Sequence, residues 1–197
     1  MLSSWNKWPR VALSGFVIAL SIAYPLVVFA LEAKVPAIAF ALAACGLLFL
    51  RAVQGPLPVD RSNKSIRFSM IAAIVLIVGL AQVDGQVAAK AYPVVISGGL
   101  AFLFGASLWR PPSLVERMAE LGGETLSPAI RLYCRRVTMV WALWLAINTL
   151  IAAALALFGS LEAWALWTGL LSYLVMGLIF AAEFTLRRFV RRRHAAE

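Results

Sequence analysis

Apolar and charged positions in this chain separate into blocks. Six uncharged apolar stretches recur, at 11–31, 35–50, 68–83, 91–109, 137–158 and 163–182. Each approaches the length that crosses a bilayer as a helix. None shows the two-residue alternation of a half-buried strand, and an open sheet could not satisfy its backbone in hydrocarbon. The pattern therefore predicts an all-α integral membrane protein, a single transmembrane helical domain over 1–197 with about six spans. The second and third stretches are short for a core of about 30 Å at about 1.5 Å per residue, so they borrow flanking residues whose long side chains snorkel. Lys7 and Arg10 precede the first stretch in the manner of a secretory signal. Its apolar run exceeds the usual signal length, and no small-residue cleavage site follows, so it reads as a span.

Orientation follows from the connections. Of the 18 Lys and Arg, all but Lys34 and Lys90 fall in four segments. These are the N-terminus (Lys7, Arg10), the loop with Arg51, Arg61, Lys64 and Arg67, the loop with Arg110, Arg117, Arg131, Arg135 and Arg136, and the tail from Arg187 to Arg193. Six spans place all four on one side, which the positive-inside rule makes cytoplasmic, with both termini there. The expected arrangement is three hairpins with short outer turns at 32–34, 84–90 and 159–162. Trp5, Trp8 and Trp109 are expected at the inner interface, Trp164 and Trp167 at the outer one, and Trp141 and Trp144 between helices.

The connection 110–136 has internal structure. Pro111 and Pro112 stop the fourth span, and Ser113 with Glu116 has the spacing of a capping box that starts a short helix over 113–121. On a helical wheel Leu114, Val115, Met118 and Leu121 share one side, and Glu116, Arg117 and Glu120 the other, so this amphipathic helix is expected to lie flat at the interface until Gly122 and Gly123 end it. Ser127-Pro128 then restarts a helix that becomes the fifth span. Small residues mark packing seams: Ser97, Ala101 and Gly105 on the fourth span, Gly169 and Gly177 on the sixth, Ala37 and Ala41 on the second. They serve packing within one chain or a homo-oligomer seam.

Composition fits lipid as solvent. The chain is 62% hydrophobic over 197 residues, with a mean hydropathy of +0.88. Soluble domains run to about 45–50% apolar, and a chain this small lacks the interior to hide the surplus. The net charge of +9 suits nucleic acid on its face, but its segregation between apolar blocks points to membrane topology instead.

Candidate chemistry is sparse. His194 is the sole histidine, and with Cys45 and Cys134 it offers no metal-ligand spacing; no nucleophile–base pair, Walker loop or dinucleotide glycine pattern occurs. No cofactor, metal or catalytic group is expected. The intramembrane polar candidates are Tyr24 and Tyr92, each followed by a proline that removes a backbone donor, together with Asn148, Tyr173 and Glu183. Interhelical hydrogen bonding for Asn148 and an ion pair with Arg187 for Glu183 are the structural readings of those two. Ser113, Glu116, Arg117, Arg131, Arg135 and Arg136 form the candidate partner-docking face.

From Tyr92-Pro93 onward further patterns stand out: 104–113 (FGASLWRPPS), Glu116-Arg117, 133–141 (YCRRVTMVW), Asn148, 160–162 (SLE) and the run 169–188. In these, about half of the chain resembles a family of small bacterial inner-membrane proteins encoded beside aryl-polyene and xanthomonadin-type pigment synthesis genes. The first three spans match it in hydropathy alone. More distantly the pattern is similar to the intracellular septation protein A family. The resemblance implies a place in envelope-associated biosynthesis, not a chemistry.

Three functions are compatible with these residues. The first is a non-catalytic membrane subunit that organises enzymes, division proteins or an acidic acyl carrier protein on the inner leaflet, with membrane lipid around it. A transporter or flippase would need a cavity lined by Tyr24, Tyr92, Asn148 and Tyr173. An intramembrane enzyme would use Glu183 or a tyrosine.

Overall fold

The computed structural model describes the backbone of residues 8–53, 63–123 and 126–194, with side chains over 15–50, 71–123 and 126–186. Among these residues there are helices and no strand. In chain order they are α1 (Trp8–Leu31), α2 (Ala37–Val53), α3 (Asn63–Val83), α4 (Gly85–Trp109), α5 (Leu114–Leu121), α6 (Pro128–Phe158) and α7 (Leu161–Leu166). A π-helical stretch, Trp167–Leu171, leads into α8 (Ser172–His194). The basic residues of the N-terminus, of the loop between α2 and α3 and of the C-terminal tail lie outside the described side chains, as do Trp5 and Trp8.

Among the described residues, three helical segments are long and apolar enough to cross a membrane: Gly85–Trp109, Pro128–Phe158 and Leu161–Leu186. Three shorter apolar helices accompany them, Gly15–Leu31, Ala37–Leu50 and Ile71–Val83. Only 17–22% of the three long apolar windows is buried against protein. Large side chains such as Phe16, Leu42, Val75, Phe102, Leu150 and Leu178 point outward. The buried positions are instead rich in alanine (Ala41, Ala44, Ala88, Ala89, Ala152, Ala165), serine and threonine. A soluble protein cannot leave so large an apolar surface open to water. This inverted distribution is that of helices whose outer faces meet lipid and whose seams use small residues for close approach.

The first outer turn runs over 32–36, slightly longer than expected, and the other two are tighter than the sequence suggests. Asp84 alone separates α3 from α4, because its carboxylate accepts the amides of Gln86 (2.8 Å) and Val87 (3.2 Å) and starts the helix at once. Lys90, expected in a turn, therefore sits on α4. Ser160 caps α7 through the amide of Ala163. α6 is one continuous helix from the Ser127-Pro128 start.

Packing extends well beyond helices that follow one another in the chain. The most extensive interface joins α4 to α6, and α2, α3 and α4 pack as a group. α1 touches α7 and the π-helical stretch more extensively than it touches α2. The seam of α4 against α6 takes in Gly98 beside the expected Ser97, which bonds Asn148. A Cβ on Gly98 would meet Thr149 of α6 at 3.3 Å, whereas one on Gly105 would meet nothing within 4 Å. On the last helix a Cβ on Gly169 would lie 3.0 Å from Leu26, while Gly177 faces open space. Gly169 thus admits the α1 segment that carries Pro25.

Gly169→Val should overpack the α1 seam and lower stability by about 1–3 kcal/mol, whereas Gly177→Val should leave the melting temperature in detergent unchanged. Equal effects from the two, read by thermal unfolding monitored by circular dichroism, would contradict this packing.

Candidate functional site

Three polar assemblies lie within the bundle. The first joins the two Tyr-Pro dipeptides. A proline at 93 cannot return an N–H to the carbonyl four residues back, so Ala89 O loses its ladder partner. The Tyr24 hydroxyl fills that vacancy, lying 2.7 Å from Ala89 O and 3.1 Å from Phe40 O, and so ties α1 to α4 and α2. In return the Tyr92 hydroxyl donates to Ser21 Oγ (2.7 Å), which donates to Val17 O (2.6 Å). The rings pack at 4.9 Å between centroids. Both tyrosines, Ser21 and Pro25 are buried. Pro93 leaves a backbone vacancy that Tyr24 fills, and Tyr92 answers with a hydroxyl contact to Ser21, one turn before Pro25 on α1.

The second assembly is centred on Asn148. Its Nδ2 donates to Ser97 Oγ on α4 (2.9 Å), and its Oδ1 accepts from Trp167 Nε1 (3.0 Å) in the π-helical stretch. Because an indole nitrogen only donates, the amide orientation is fixed by its partner. Asn148 thereby bonds helices on either side of α6, in line with the packing role expected from its midspan position. Trp144 packs on Trp167 at 6.5 Å between centroids. Trp164 is fully buried, and Trp167 donates to Asn148, so both pack between helices. Trp109 is largely exposed at the opposite end of α4.

The third assembly is the elbow around α5. Ser113 is the N-cap residue, but its hydroxyl does not take a helix amide; it donates to Glu116 Oε1 at 2.6 Å. The expected capping box is replaced by caps from two other helices. Leu114 N donates to Ser107 Oγ on α4 (3.0 Å), and Val115 N donates to Thr138 Oγ1 on α6 (3.3 Å). Arg117 donates to Pro112 O (2.9 Å) and Arg110 O (3.2 Å), binding the proline turn to α5. Arg131 on α6 pairs with Glu120 at 3.0 Å and lies 3.8 Å from Glu116. Gly123, at φ +81°, carries the chain out of the helix in a conformation that favours glycine.

On α5 the apolar side is divided: Leu114 is buried against the bundle, while Met118 and Leu121 are exposed, as a helix lying flat at an interface leaves them; Glu116, from the polar side, is also buried. The reason is local: the Glu116 carboxylate is drawn inward by Ser113 Oγ and Arg131. Of the six docking candidates, Ser113 and Glu116 are therefore interior braces. Arg117 and Arg135 are half-buried, and Arg131 and Arg136 are exposed.

Glu183 is met by the Tyr133 hydroxyl, 3.4 Å from Oε1 and 3.3 Å from its backbone oxygen, which links α6 to α8. The side chain of Arg187, its expected partner, lies outside the described residues. A cleft of about 140 Å³ opens at the end of α4 opposite the elbow, and none of Tyr24, Tyr92, Asn148 and Tyr173 lines it. No sign of the Ser107 and Thr138 caps is legible in the residues, because a lone hydroxyl in an apolar run does not announce its partner. The Tyr-Pro repeat was such a sign for the first assembly.

Tyr24→Phe should cost about 1–3 kcal/mol by leaving Ala89 O unsatisfied. In a Pro93→Ala background, where the residue 93 amide regains that carbonyl, the same change should cost distinctly less; additive effects would remove the coupling claimed here. Thr138→Val should free the Val115 amide and speed its hydrogen exchange selectively, with exchange in the middle of α6 unchanged. Comparison of the chain with family models, with curated proteins and with solved structures finds no match.

Proposed function

We propose that this chain is a non-catalytic, multi-pass subunit of the bacterial inner membrane that holds a cytoplasmic-leaflet platform for envelope synthesis. In this reading it spans six times with both termini in the cytoplasm. The basic connections then share one leaflet, as the positive-inside rule requires.

The observation that carries the proposal is the elbow. α5 is fastened to α4 and α6 by buried hydroxyls, yet its free side chains Met118 and Leu121 are apolar. That combination suits a short helix embedded at the boundary of headgroups and acyl chains. Arg110 and Arg136 are exposed beside it, and Arg131 keeps about half of its side-chain surface open. Rigid α5 with these cations offers an acidic cytoplasmic partner a fixed, positively charged surface, for which an acyl carrier protein is the best chemical fit. The resemblance in the second half of the chain favours aryl-polyene-type lipid or pigment synthesis as the setting. The hydrogen-bonded polar residues support a structural role over catalysis, since Tyr24, Tyr92 and Asn148 are each engaged in fastening helices.

Reporter fusions after residue 123 and after residue 197 should report the same, cytoplasmic face. Photo-crosslinkers at 131 and 136 should capture acidic cytoplasmic proteins, while crosslinkers at 84 and 160 should not. Opposite faces for the two fusions, or no adducts unique to 131 and 136, would refute the platform.

A further inference from the structure

The cleft at the far end of α4 contains an unusual lysine. Lys90 is only 8% exposed, on a helix, and it lines the cleft. Among the described residues no hydrogen bond or ion pair reaches its ammonium. Its charge is felt by the exposed carboxylate of Glu162 at the start of α7, without a salt bridge. Glu32, from the turn after α1, and Gln86, one helical turn before Lys90, line the same space. Glu32 does not pair with Lys90 either. The remaining wall is apolar, with Val28, Phe40 and Leu161 prominent.

Lys90 packs its stem among α1, α2 and α7 while its ammonium stays open to the cleft. The same cleft carries the exposed carboxylate of Glu32, which makes no ion pair with Lys90, so both charges are available to a ligand beside an apolar wall. Its volume of about 140 Å³ exceeds the roughly 30 Å³ share of one liquid water several-fold.

We propose that this cleft binds the head group of a zwitterionic amphiphile. The phosphate or carboxylate of the ligand rests on Lys90, its ammonium faces Glu32, and its first methylenes lie on Val28, Phe40 and Leu161. Gln86 can donate or accept toward either end of the head group. A purely anionic ligand would leave Glu32 opposed to it, and a purely cationic one would leave Lys90 bare. The site is independent of the platform, since it occupies the opposite end of α4 and requires only that lipid bathe the helices.

The test uses the full chain purified in detergent and native mass spectrometry with phosphatidylethanolamine, phosphatidylglycerol and phosphatidylcholine. Phosphatidylethanolamine should be retained about tenfold over the other two, equivalent to about 1.4 kcal/mol, because it alone carries both a phosphate and an ammonium that can donate to Glu32. Lys90→Met should abolish retention, Lys90→Arg should keep it, and Glu32→Gln should erase the preference over phosphatidylglycerol. Displacement by free phosphoethanolamine would assign the site to a soluble zwitterion. Binding of lysophosphatidylethanolamine without such displacement would assign it to membrane lipid, and either result supports the site. Equal retention of all three lipids, or wild-type retention by folded Lys90→Met, overturns it. Should Lys90→Met fail to fold, unchanged head-group preference in Glu32→Gln, which alters an exposed residue, overturns it equally.

Discussion

Lipid inverts the usual division between inside and outside, and the rest of this structure follows from that inversion. When the surroundings are as apolar as leucine, burying leucine brings little gain. Large aliphatic and aromatic side chains can face outward. Helix association then depends on how closely backbones approach and on polar groups that have no water to turn to. Both are visible here: alanines and Gly98 and Gly169 at the seams, and hydroxyls and an amide bonded between helices.

The same constraint explains why irregular backbone and polar side chains coincide. Pro25 and Pro93 each remove an amide, and in hydrocarbon the carbonyl left behind has no solvent partner. At Pro93 the vacancy is closed by Tyr24, and the reciprocal hydroxyl contact from Tyr92 to Ser21 fastens the two proline-containing helices together. At the elbow, the first amides of α5 are taken by Ser107 and Thr138. In both places a defect in one helix is completed by a side chain of another. Each defect thereby specifies a neighbour.

The two ends of α4 consequently differ in character. One end is braced in every direction by serine, threonine and arginine contacts, and turns a short helix's apolar face outward. The other carries a lysine whose charge no described side chain neutralises through a bond. The braced end suits a fixed surface, and the open end suits a ligand.

Much of the architecture was legible in the residues. Hydropathy alone distinguishes helices in lipid from strands or a soluble core, and the helix start at Ser127 and the stop at Gly122-Gly123 could be read locally, because capping involves residues a few positions apart. The six apolar stretches correspond to helices, three of them long enough by length and composition to cross a membrane. Which helices touch could not be read, since hydropathy reports the solvent of a segment and not its neighbour. The bond from Tyr24 to Ala89 spans 65 residues and that from Tyr92 to Ser21 spans 71. Only three-dimensional packing decided that α4 would pair with α6, that Trp164 would be fully buried among other helices, and that the first amides of α5 would be capped by Ser107 and Thr138. Each of these depends on distant groups converging, and a linear pattern carries no information on convergence.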